Sequence, residues 1–121
     1  MATRKTHRAR GASWETEITN YARKKGHDAE RIARRGSKDE GDVVCKGSFF
    51  GNLAIIEAKA PGLDGKIDLP GWLREAHVEA DHYAEARGLD RNAILAAVVI
   101  KARGKSTGEA YVVLRLDDVI K

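Results

Sequence analysis

The chain has a single cysteine, Cys45, among its 121 residues, so no disulfide can close within it. That thiol follows Val43 and Val44 in an apolar run, the setting of a small core residue in a reducing compartment. No run of 18 or more apolar residues occurs, which excludes a membrane-spanning helix. The first residues are basic and carry no apolar stretch, so no secretory leader is expected there. Proline is scarce, with only Pro61 and Pro70. The first marks a break over 61–65, and the second suits the opening of a helix. Repeats are absent, and the only biased tract is the N-terminus. Zinc-site spacing is also lacking: His77, Asp81 and Glu85 recur every four residues, but without a second ligand group they read as a solvated helix face.

What the chain does have is charge, unevenly placed. Lys, Arg, Asp and Glu make up 33% of it, with a formal net charge of +4. Residues 1–46 hold 12 Lys/Arg against 7 Asp/Glu, a balance of +5, whereas residues 47–121 stand at −1. A basic front half suits a polyanionic partner. The length and the 42% hydrophobic content fit one small domain. We expect a flexible basic arm over 1–12, able to lie along phosphates through Arg4, Lys5, Arg8 and Arg10, and a single domain over 13–121.

Ser13 is a candidate N-cap for a helix in which Trp14, Ile18, Tyr21 and Ala22 share one face. Gly26 suits its C′ position. Residues 27–35 read as a weak strand with a basic rim, and 35–41 as a loop. Val43–Cys45 and Leu53–Ala60 are β-branched runs joined by a turn-like segment, Lys46–Asn52, which together read as a hairpin. Phe49 and Phe50 fall near its tip, where they either pack beneath the domain or serve a dimer surface or a nucleic-acid base. A helix is expected from about Gly71 to Arg87, with Leu73, Ala76, Ala80, Tyr83 and Ala84 on its buried face. Asn92–Ile100 is nearly all apolar, as a central strand covered on both faces would be. Glu109–Leu116 is the last strand, and Asp117 or Asp118 caps a short helix. The order α, β, β, β, α, β, β allows a mixed sheet with helices on its faces.

One stretch, Gly41–Lys59, concentrates chemistry. Residues two apart on a strand share a face, so Glu57 and Lys59 project together. If Asp42 lies on the neighbouring strand, two carboxylates and an ammonium converge at the edge of a core. Such charges need pairing or a cation, and oxygen ligands suit Mg2+.

Asp42, a gap of 14 residues, then Glu57-Ala58-Lys59 resembles the PD-(D/E)xK nuclease signature. With Glu15 on the first helix and Arg31, Arg34, Gly36 and Ser37 before the aspartate, the order is similar to the archaeal and phage Holliday junction resolvases of that superfamily, over about residues 11–100. Gly41 stands where the signature prefers proline. The resemblance implies a restriction-endonuclease-like α/β fold, a central mixed sheet flanked by helices. It also implies a Mg2+-dependent DNA endonuclease, with Mn2+ as a substitute, acting as a homodimer on four-way junctions. Asp42, Glu57, the Ala58 carbonyl and Glu15 would hold the metal, and Lys59 would act on the water. Glu75 or Glu79 would approach the metals from the second helix. Arg31, Arg34, Arg35, Ser37 and Lys38 would bind DNA. The expected location is the cytoplasm, that of a host if the source is viral. The alternatives are a nuclease of the same superfamily cutting flaps, single strands or duplex, and a DNA-binding module without catalysis.

Overall fold

The computed structural model describes residues 4–33, 38–63 and 65–121, with side chains described from Ser13 onward. Helix α1 (Arg4–Lys24) begins well before Ser13, so residues 4–12 of the segment expected as a flexible arm form the first turns of the helix, and residues 1–3 lie outside the described residues. Nothing in that segment breaks a helix. It has no proline, and Gly11 lowers helix propensity without ending it. The C-terminus follows expectation: Gly26 takes φ 89°, and His27 N–H donates to the Ala22 carbonyl at 3.0 Å while Gly26 N–H donates to that of Arg23 at 2.9 Å. This is a Schellman closure, which needs a residue tolerant of positive φ at C′.

A sheet of five strands follows, in spatial order β1-β2-β3-β4-β5. Strand β1 (Asp28–Arg31) is shorter than the 27–35 expected and buries only Ala29. It runs antiparallel to β2 (Val43–Phe49). The hairpin partner β3 (Asn52–Lys59) pairs Val43 with Ile56 and Val44 with Ile55. The expected loop over 46–52 is mostly strand. Four steps from Cys45 to Phe49 face two steps from Ala54 to Asn52, so β2 carries an irregular bulge, with Gly47 at φ 78°. The bulge masks the alternation that would have marked these residues as strand. The turn itself is only Phe50-Gly51, at φ 53° and 81°, the sense of twist that tight hairpins favour. The two phenylalanines part company: Phe49 packs against the α1-side core, and Phe50 is 78% exposed.

Helix α2 (Leu69–Arg87) crosses over between β3 and β4 (Ile94–Ile100). It starts two residues earlier than expected because Asp68 caps it, accepting from Gly71 N–H at 3.0 Å. It ends at Gly88 in the left-handed region. The crossover makes β3 and β4 parallel, and all seven residues of β4 are buried. Strand β5 (Tyr111–Val113) closes the edge antiparallel to β4, and α3 (Leu116–Val119) follows.

Strand alternation divides the core in two. Val43, Ile56, Ala97 and Val99 face α1 with Trp14 and Ile18. Val44, Ile55, Ala96 and Val98 face α2 with Ala76, Ala80 and Tyr83. Trp14 is anchored by donating its indole N–H to the Val99 carbonyl at 3.1 Å. By the same alternation Glu57 and Lys59 emerge on the α2 side of β3 and Ala58 on the α1 side.

A candidate metal centre at the end of strand β3

Asp42 sits where β2 begins, locked on both sides by its backbone. Its N–H donates to the Ile56 carbonyl at 3.0 Å, and its own carbonyl accepts from Ile32 N–H at 2.8 Å. Its side chain then reaches across: Oδ2 accepts the Ala58 N–H at 2.8 Å. The preceding residue, Gly41, has φ 101°, and a Cβ there would meet Ile55 Cγ2 at 2.6 Å. Both facts require glycine, and a proline, fixed near φ −65°, is incompatible with this backbone. The departure from the signature thus has a local cause. The loop ahead of Gly41 is fastened to α2. His82 Nδ1 lies 2.7 Å from the Asp39 carbonyl, and Arg87 donates to Glu40 at 2.7 Å while stacking on Tyr83.

Around Asp42 the carboxylates gather. Glu15, from α1, neighbours Asp42. Burial and that neighbour push its carboxyl up to about 7, against the pull of Arg31, whose Nη2 lies 3.0 Å away. Glu57 is 5% exposed. Burial, then Glu79 and Asp42, drives its carboxyl far above the usual range. Glu79 is 2% exposed and is raised to about 7, first by burial and then by Asp39, Asp42 and Glu75, with Glu57 acting the other way. Glu57 Oε2 and both Glu79 oxygens are buried without a hydrogen-bond partner. The countercharge is Lys59, whose Nζ lies 3.8 Å from Glu57 Oε1 and 3.4 Å from Glu75 Oε2, over the Trp72 ring at 5.5 Å. One oxygen each of Glu57, Glu75 and Glu79 fall within 4.8 Å of one another.

The expected residues Glu15, Asp42, Glu57, Ala58 and Lys59 therefore come together at one end of the sheet. The expected DNA-binding residues are partly placed. Arg31 pairs with Glu15 and, at 3.4 Å, reaches Thr16 Oγ1, so it flanks the acidic cluster. Lys38 pairs with Glu85 at 3.7 Å on the surface. Arg34, Arg35 and Ser37 lie outside the described residues. Glu79, expected to approach the metals, was not among the residues assigned to the buried face of its helix, yet it belongs to that face. It follows Ala76 by three residues and precedes Tyr83 by four, the spacing that defines the apolar stripe. Trp72 was not anticipated at the site.

Chemically the cluster is a set of hard oxygen donors with too little countercharge. The partnerless buried oxygens fit a divalent cation, and a cation there would remove the mutual repulsion that raises these carboxyls.

No protein family matches the chain by sequence, and no curated protein matches it. Among solved structures it is similar to Hjc, a Holliday junction resolvase from the archaeal hyperthermophile Archaeoglobus fulgidus. The similarity covers 87% of this chain and 88% of that one, with a TM-score of 0.52 and 16% sequence identity. The chain has a restriction-endonuclease-like fold, shared with that resolvase.

Proposed function

We propose that the chain is a divalent-cation-dependent DNA endonuclease of the PD-(D/E)xK superfamily, cutting four-way junctions in pairs as a homodimer. The observation that carries this reading is the convergence of Asp42, Glu57 and Lys59, with Ala58 N–H held by Asp42, in a fold shared with a junction resolvase. Asp42, Glu57 and the Ala58 carbonyl hold Mg2+, or Mn2+ in its place, and Glu15 completes the acidic set. When bound, the cation supplies Lewis acidity at the scissile phosphate and lowers the pKa of a water molecule.

The chain's own residues do the rest. The Ala58 N–H fixes one oxygen of Asp42 and so sets the orientation of the carboxylate. Glu57 is positioned by β3 and shielded from bulk solvent, where electrostatic interactions are strengthened. The Lys59 ammonium, held between Glu57 and Glu75, orients the attacking water and offsets charge that develops on the phosphate. Arg31 is free on half its surface and grips a phosphate in the bidentate manner of a guanidinium. Arg34, Arg35, Ser37 and Lys38 extend that contact along the strand. Tyr111 and Val112 are exposed apolar side chains on β5, an edge strand of the sheet, a surface suited to a second copy. Two-fold symmetry of that pair would match paired cuts. Among the described residues no helix is long and apolar enough to cross a membrane, and the free thiol of Cys45 suits a reducing cytoplasm.

The test is cleavage of a labelled four-way junction by wild type and Asp42→Asn in Mg2+ and in EDTA, beside duplex and flap controls. Symmetric nicks that require both Mg2+ and Asp42 support the reading. Equal cutting of duplex or flap retains the nuclease and removes the junction specificity. Binding without cleavage, in Mn2+ as well, overturns the enzyme.

A further inference from the structure

A cleft of about 450 Å3 opens on the α1 side of the sheet, between the C-terminal half of α1, the outer half of β2 and the turn that leads into β5. Close-packed interiors leave few voids larger than a water molecule, and pockets of about 300–1,000 Å3 are the size that takes small ligands. The floor of the cleft is apolar, made by Trp14, Ile18, Ile56 and Val99. Cys45 joins that floor. Its thiol is pushed up to about 11, first by burial and then by Asp28, so it carries no charge at neutral pH. Phe49 and Tyr21 supply aromatic walls. The Tyr21 side chain lies across the turn at Gly108, where an added Cβ would meet its hydroxyl at 2.9 Å. A glycine at 108 therefore lets Tyr21 span from α1 to the turn.

The polar groups of the cleft are few. Ser48 Oγ is buried without a hydrogen-bond partner, a costly state for a hydroxyl unless another molecule meets it. Lys25 and His27 are exposed where the cleft meets solvent, and the Lys25 ammonium lies over the Tyr21 ring at 5.6 Å. Among the described residues no carboxylate lines the cleft, so its charge is of one sign. We propose that this cleft binds an amphipathic anion, an apolar acyl or aromatic body with one carboxylate head. The body lies on the Trp14 and Ile56 floor between Phe49 and Tyr21, and Lys25 and His27 hold the head at the mouth. Ser48 gives its hydroxyl to a polar atom of the ligand. The cleft lies on the opposite face of the sheet from Lys59 and Glu79, and the proposal does not depend on the nuclease reading.

The experiment titrates the full chain with decanoate, below its micelle concentration, and follows the indole N–H signals by proton–nitrogen correlation NMR. The two tryptophans report separately. Trp14 lines the cleft, whereas Trp72 packs against the α2-side core. The Trp14 signal is expected to shift and to saturate at one equivalent, while the Trp72 signal stays in place. Trp72→Phe assigns the two signals. Decyltrimethylammonium has the same chain and the opposite charge, and it should leave both signals unmoved. Lys25→Glu with His27→Glu changes two exposed side chains and leaves the floor intact. That double variant should bind decanoate about tenfold more weakly. A Trp14 signal that never moves overturns the proposal, as does movement of both indoles together, the mark of binding all over the surface. Equal binding of the ammonium probe, or undiminished decanoate affinity in the double variant, overturns it as well.

Discussion

The carboxylate of Asp42 accepts the backbone N–H of Ala58 at 2.8 Å, across a hairpin in which the two residues stand 16 positions apart. The bond gives Asp42 a structural duty beside its proposed chemical one, and the two can be separated. Asparagine keeps an oxygen acceptor and loses the charge, so Asp42→Asn should retain its melting temperature while junction cleavage falls about 100-fold or more. Alanine removes the acceptor and leaves a partly buried N–H unpaired. Asp42→Ala should therefore also lose about 1–3 kcal/mol in a urea titration. Equal stability of the two variants would show that the Ala58 bond carries no weight.

The buried acids make a prediction about pH. Glu79 has its carboxyl raised from 4.5 to about 7 in the folded chain, chiefly by burial. A raised carboxyl binds its proton more tightly when folded than unfolded. Its contribution is complete below the unfolded value near 4.5 and disappears as pH rises through 7. Without added metal, wild type should thus lose stability relative to Glu79→Gln between pH 5 and 8, by on the order of 2 kcal/mol. Mg2+ should restore it, and more at pH 8 than at pH 5. Thermal melts of both proteins at the two pH values, with and without Mg2+, provide the check. Parallel curves would mean that Glu79 does not titrate in this window.

Phe50 is the one non-glycine residue with positive φ among the described residues, at 53°, and it is also 78% exposed. A bulky aromatic in the left-handed region is strained, and exposure returns nothing for that strain. Phe50→Asn, a residue this turn type prefers, should stabilise the chain by about 0.5–1 kcal/mol. A urea titration measures this, and a loss of stability would mean that the ring makes contacts that outweigh the strain.

Much of this architecture is legible in the residues. The apolar run of β4, the stripe of α2 and the glycines at 26 and 88 carry their own physical signals, and the structure places each as those signals imply. What escaped detection has physical reasons. Residues 4–12 are polar, and a helix without an apolar face leaves no periodic trace. The outer half of β2 carries extra residues and a left-handed glycine, which break the alternation. Glu79 was expected to approach the metals but was not counted on the buried face of its helix, although its spacing from Ala76 and Tyr83 put it there. The Asp42–Ala58 bond depends on the register between two strands, which the sequence does not display. The convergence of Asp42, Glu57 and Lys59 was readable because strand alternation and the hairpin are both local rules.

The crossover helix has a consequence for time as well as space. Glu57 lies two residues before the end of β3 and Glu79 in the crossover helix that follows, so the two meet only when α2 docks on the sheet in which β3 and β4 pair in parallel. Parallel pairing across a helix is a non-local and slow event, and contacts completed after it contribute little to the folding transition state. A cation clasped between Glu57 and Glu79 would therefore act as a latch fastened last. It would scarcely hasten folding, but it would lengthen the lifetime of the folded chain against unfolding, and chelation would be felt first as a shortened residence in the native state.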